Sequence, residues 1–107
     1  MTTFDKREEG FEKKFALDEQ QKFKAEVRRN KLLGLWAAEK LGRKGSDAEA
    51  YAKDVVMADF EEPGDDDVFR KVRKDFDAQG VAVSDQELRR MMVDLMGAAV
   101  QQIKAGR

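Results

Sequence analysis

The chain contains neither cysteine nor histidine. Disulfides, thiol nucleophiles, thiolate zinc sites and imidazole bases are therefore excluded, as is a histidine-based pH switch. Carboxylate, lysine, tyrosine and hydroxyl chemistry remain, but no carboxylates stand in a recognisable acid/base pair. The residues point to a protein that is not an enzyme and carries no cofactor or metal. Proline occurs once, at Pro63, and no segment has the alternating β-branched pattern of a strand. No apolar run approaches the ~20 residues that span a bilayer, so no direct membrane insertion is expected. The opening Met1-Thr2-Thr3-Phe4-Asp5 lacks the basic and apolar regions of a signal peptide, which predicts a cytoplasmic location. An excess of one charge is also missing. The net charge of -1 argues against a nucleic-acid partner, which calls for a basic surplus.

What is present is helical. The 107 residues suffice for one compact domain. A hydrophobic share of 41% supplies a modest core, and a charged share of 40% suits helices with wide solvated faces. Breaks at Gly42 to Gly45, Pro63-Gly64 and Gly80 divide the chain into four helical segments. The first runs from about Gln21 to Leu41. It carries Phe23, Val27, Leu33, Ala37 and Leu41 on one face, and Leu32, Leu35 and Trp36 extend apolar surface around it. That places residues 32–41 at the centre of a bundle. The second starts at Ser46-Asp47-Ala48-Glu49, read as a capping box, and shows Ala48, Tyr51, Ala52, Val55, Val56 and Phe60 on one face. The third opens on Asp65-Asp66-Asp67, acids that suit the positive end of the helix dipole, and would bury Val68, Phe69, Val72 and Phe76. The fourth repeats the capping box at Ser84-Asp85-Gln86-Glu87 and runs through Leu88, Met91, Met92, Leu95, Met96, Ala99 and Ile103. Gly97 inside it suggests close packing against a neighbour.

The first eighteen residues behave differently. Phe4, Phe11 and Phe15 form a narrow stripe set roughly a quarter turn from the Phe23/Val27 face at about 100° per residue. Charged residues surround them. A Thr2/Asp5 start signal and a Glu9–Lys13 pair favour helix, whereas Gly10 and the short length oppose it in water. The division is thus an arm over 1–18, mostly disordered when free and able to fold on a partner, and a helical bundle over 19–107. The stripe reads either as a partner-binding helix laid in a groove or as a turn packing on the chain's own bundle.

Other clusters have plainer readings. Arg43, Lys44, Gly45 and Ser46, after Gly42, sit where a phosphate cradle would, yet the P-loop spacing is absent. A helix end, an exposed basic pair and a serine cap account for them, with a weak ATP or ADP contact as the alternative. Glu61, Glu62, Asp65, Asp66 and Asp67 lack calcium-loop spacing and read as helix caps that also complement the helix dipole. Arg28-Arg29-Asn30-Lys31 reads as a solvated face, and Met91, Met92 and Met96 as adaptable core filling.

Two runs and the opening carry a family resemblance. Ala25-Glu26-Val27-Arg28-Arg29-Asn30-Lys31-Leu32-Leu33-Gly34-Leu35-Trp36-Ala37-Ala38 is the first. Ala58-Asp59-Phe60-Glu61-Glu62-Pro63-Gly64-Asp65-Asp66-Asp67-Val68-Phe69-Arg70-Lys71 is the second. With Thr3-Phe4-Asp5-Lys6-Arg7-Glu8 and Phe11-Glu12-Lys13-Lys14-Phe15-Ala16, they make the chain resemble the zeta inhibitor subunit of the alphaproteobacterial F-type ATP synthase. The resemblance implies an all-α four-helix bundle with a flexible N-terminal helical arm. It also implies an arm, Thr2 to about Leu17, that enters the interface between the α and β subunits of the catalytic head. There it reaches toward γ and blocks rotation in the ATP-hydrolysis direction. Partner-binding residues would be Phe4, Asp5, Arg7, Phe11, Lys13, Lys14, Phe15 and Leu17. The location implied is the cytoplasmic head of the membrane ATP synthase. A small adenine-nucleotide sensor and a general protein-interaction module are the competing functions.

Overall fold

The computed structural model describes residues 17–60 and 65–106. They form four helices with no strand among them: α1 Glu19–Lys40, α2 Ser46–Ala58, α3 Asp66–Gln79 and α4 Asp85–Lys104. The all-α, four-helix expectation is met.

The ends of the helices follow from local chemistry. Asp18 is extended and its carboxylate accepts from the Gln21 amide at 2.7 Å, while the Gln21 side chain accepts from the Asp18 amide at 3.2 Å. This reciprocal cap starts α1 two residues before the expected Gln21. At its other end the Arg43 amide reaches back to the Ala38 carbonyl and the Gly42 amide to Glu39. The pattern needs a left-handed residue, and Gly42 supplies it at φ 78. Gly80 does the same after α3 at φ 67, with the Val81 amide on the Phe76 carbonyl at 2.8 Å. The Ser84 hydroxyl caps α4 by accepting from the Glu87 amide at 3.1 Å, one half of the expected box.

The Ser46 cap is a correction. The Glu49 amide bonds the Gly45 carbonyl, so the helical turn begins one residue earlier and no side chain caps α2. Ser46 is already inside the first turn, where its hydroxyl cannot reach the orphan amides.

The core joins Leu33, Ala37 and Ala38 of α1 to Tyr51 and Val55 of α2, Val68, Val72 and Phe76 of α3, and Leu88 and Met92 of α4. Trp36 meets Phe76 edge to face at 5.8 Å. Helix α1 is the hub, packing most extensively on α2 and α4; within 32–41, Leu33, Gly34, Ala37 and Ala38 are buried as expected, whereas Leu32, Leu35, Trp36 and Leu41 are only half-buried. The close approach lies at Gly34, where a Cβ would fall 2.5 Å from the Ala52 Cα. Gly97, expected to serve that purpose, would meet nothing within 4 Å. Phe23 and Phe60 also depart from expectation. Each lies on the outside of the bundle, 53% and 58% exposed.

Candidate protein-interaction site

Most of the arm expectation, with Phe4, Asp5, Arg7, Phe11, Lys13, Lys14 and Phe15, lies outside the described residues. Leu17 is described and is half-buried, directly before the extended Asp18. The chain therefore enters the bundle through a helix stop and not along a continuous helix.

Beside this entry the bundle carries an apolar surface. Phe23 and Phe60 lie with ring centroids 6.2 Å apart, tilted at 38°. Met57, 56% exposed, belongs to the same end of α2. A groove of about 680 Å³ runs between α1, α2 and α4, floored by Val27, Leu32, Leu35, Val56 and Ile103 and edged by Lys24, Arg28 and Lys31. The Arg28 guanidinium donates to the Gln102 side chain at 3.3 Å across the groove's end. Neither member of the aromatic pair belongs to the other's helix, so no local pattern could have announced it.

The basic run Arg28-Arg29-Asn30-Lys31 is a solvated face only in part: Lys31 is exposed and Arg28 half-buried. Arg29 is 2% exposed and Asn30 is fully enclosed. The Arg29 Nε donates to Asn30 Oδ1 at 2.6 Å, and its Nη2 donates to Asp65 Oδ1 at 2.7 Å. Burying a guanidinium requires such a partner, and Asp65 is supplied by the acidic cluster. Asp66 takes Arg89 at 3.0 Å, and Arg89 lies over the Phe69 ring at 4.0 Å. Asp67, nearly buried, pairs with Arg70. Glu61 and Glu62 lie outside the described residues; Asp66 and Asp67 stand in the first turn of α3, where acids suit the helix dipole as expected, but no side chain caps that helix. The three aspartates act as counter-charges for arginines of α1, α3 and α4. Arg29, Asp65 and Arg89 also edge a second groove, of about 440 Å³, with Met92, Val93, Met96 and Gly97. Met92 fills the core as expected, whereas Met96 lines this groove.

The turn Arg43, Lys44, Gly45, Ser46 is exposed throughout. Arg43 lies over the Tyr51 ring at 5.0 Å, and Lys71 approaches that ring at 5.2 Å. The Tyr51 hydroxyl donates to Asp75 Oδ2 at 2.8 Å, which also holds Lys71 at 2.9 Å. Burial, and then the bond to Asp75, push the phenol far above its ordinary value. Burial alone would raise the Asp75 carboxyl. Hydrogen bonds from Lys71 and Tyr51, with the charges of Lys71 and Arg43, outweigh it and hold the carboxyl below its ordinary value. This cluster knits α2 to α3. No described helix is long and apolar enough to cross a membrane.

Residues 1–102 match the sequence pattern of the family described as ATPase inhibitor subunit zeta. Among solved structures, a solution NMR structure is 49% identical, with a TM-score of 0.70 over 79% of this chain and 96% of that one. No protein of curated function matches significantly.

Proposed function

The chain belongs to the ATPase inhibitor subunit zeta family, and from that premise we propose how it inhibits the F-type ATP synthase. The segment from Thr2 to about Leu17 inserts between the α and β subunits of the catalytic head, on its cytoplasmic side. Lodged there and reaching γ, it blocks rotation in the hydrolysis direction while the bundle over 19–107 stays outside. Phe4, Phe11 and Phe15 enter the crevice as apolar anchors. Asp5, Arg7, Lys13 and Lys14 meet polar groups on its walls, and Leu17 closes the junction with the bundle.

The observation that carries this reading is the reciprocal Asp18–Gln21 cap, which ends α1 at Glu19. The aromatic stripe ahead of it need not follow the bundle's own packing direction. Burying three phenylalanines gains on the order of 5–9 kcal/mol at ~1.5–3 kcal/mol each. Ordering some fifteen residues costs more, at ~1–2 kcal/mol per residue. Helix formation, charge pairing and attachment of the bundle must supply the rest. An isolated peptide of the arm should therefore inhibit far more weakly than the whole protein.

The test is ATP hydrolysis by isolated catalytic heads, with the intact chain and with one lacking residues 1–18. Intact protein should inhibit and the shortened one should not. Equal inhibition by both, or by neither, ends the proposal.

A further inference from the structure

Phe23, Met57 and Phe60 each present more than half of their surface to solvent. Phe23 lines the groove floored by Val27, Leu32, Leu35 and Ile103, and the Phe60 ring stands 6.2 Å from the Phe23 ring. Scattered apolar side chains on a surface mean little, but a contiguous patch opening into a groove marks a binding face. We propose that in the free protein this groove holds the chain's own N-terminal segment, residues 4–15, folded back along α1 so that the inhibitory strip is reversibly parked. The proposal rests on the reading of that segment as inhibitory and adds the regulation of it.

Three features select the arm as the occupant. The first is where the segment ends. It joins the bundle at Leu17 and the extended Asp18, next to the groove's Phe23 end. Antiparallel helices are joined by loops of about 2–5 residues, which residues 16–18 supply. The second is length. From Phe23 to Leu35 the groove follows α1 for about 18 Å, and a helix from Phe4 to Phe15 spans about 17 Å, at ~1.5 Å per residue. The third is charge. At about 100° per residue, Asp5, Glu8 and Glu12 line one flank of the Phe4–Phe11–Phe15 stripe, and Arg7 and Lys14 line the other. The groove's rim offers Lys24, Arg28 and Lys31, which fall within about 60° of one another on α1 by the same count. One orientation of the arm thus buries its aromatic stripe on the apolar floor and sets its acidic flank on the basic rim.

Parking competes with inhibition. If about nine-tenths of the free protein is parked, apparent affinity for the catalytic head falls about tenfold, because only the open fraction binds. Weakening the groove should then strengthen inhibition, the opposite of what loss of a docking surface does.

The absence of native cysteine allows the test. A spin label is placed on full-length Gly10→Cys, and on Thr3→Cys as a second position. Amide signals of Val27, Lys31, Leu35 and Ile103 should broaden, while that of Val93 beside the second groove should not. In Lys24→Glu/Lys31→Glu, two exposed substitutions, the broadening should fade and half-maximal inhibition should occur at several-fold lower concentration. Uniform or absent broadening overturns the proposal. So does broadening that disappears on dilution, which assigns the groove to the arm of a second copy. Weaker inhibition by the charge-reversed chain also overturns it, since the rim would then serve the synthase head. Loss of inhibition on deleting residues 1–18 without groove contact sinks parking alone. Undiminished inhibition after that deletion sinks the parent reading.

Discussion

Replacing Gly34 with alanine adds one methyl group where α1 crosses α2. In an open helix the change gains up to about 1 kcal/mol, because alanine restricts the unfolded chain and favours helix. Here the new Cβ would stand 2.5 Å from the Ala52 Cα and 3.3 Å from the Ala52 carbonyl oxygen. Ordinary contact begins near 3.4 Å, so the two helices must separate by about 1 Å. A gap of that size forfeits a quarter to a half of the dispersion energy of the atoms it parts. Leu33, Ala37 and Ala38 face Tyr51 and Val55 in this core. Overpacking typically costs ~1–3 kcal/mol, and more when backbone must move, so about 2–4 kcal/mol is expected against a propensity gain of about 1. The net loss is about 1–3 kcal/mol, or a melting temperature lower by roughly 5–20 °C for a domain this size. Urea unfolding followed through Trp36, the only tryptophan, measures it. The decisive partner is the double variant with Ala52→Gly. It removes the 3.0 Å contact with the Ala52 Cβ but leaves the 2.5 Å contact with the Cα, so it should not rescue stability. Gly97→Ala, with nothing within 4 Å, should gain about 0.5–1 kcal/mol. Recovery in the double variant, or a stable Gly34→Ala chain, refutes backbone contact as the reason for the glycine.

Asp65→Ala should cost about 2–3 kcal/mol, because it strips the counter-charge from a guanidinium that is 2% exposed. The loss stays below the ~3–5 kcal/mol of a fully enclosed pair, since water reaches Asp65, and denaturant midpoints measure it. Asp75 titrates below its ordinary 3.8 in the folded chain. Its contribution to stability is therefore complete above about pH 4 and is lost as pH falls through the lowered value. Urea midpoints between pH 2 and 6 should fall less steeply with acid in Asp75→Asn, and an unchanged slope counts against the Tyr51–Asp75–Lys71 cluster. Ser84→Ala removes the single side-chain cap of α4 and should cost about 1 kcal/mol in thermal melts, with no change expected in the start of α3.

Much of the fold was legible because the signals are local. Gly42, Gly80 and Ser84 sit where turn and cap chemistry requires them, and the 3.6-residue periodicity of Val68, Val72 and Phe76 identified a buried stripe. Asp18-x-x-Gln21 is equally local, yet it is hidden among charged neighbours that read as a mere interruption. Ser46 shows the limit of cap motifs, which are uncertain by one residue when a glycine precedes them. Burial of Arg29 and Asn30 was not legible, because their partner Asp65 lies 36 positions away and a run of bases looks solvated without it. The same holds for Gly34 and Gly97, two helix-interior glycines told apart only by where another helix crosses. The Phe4–Phe11–Phe15 stripe is periodic and so is visible in the sequence, but it lies outside the described residues. The groove beside Phe23 and Phe60 is assembled from three helices and could not be read from the sequence.

The stop at Asp18 also has a mechanical meaning. Had α1 run on into the preceding segment, a load on that segment would reach the bundle along a stiff rod and lever it about. The extended Asp18 instead passes the load through rotatable backbone bonds, as through a swivel. On the insertion proposed above, the lodged segment follows its crevice while the bundle keeps its own orientation.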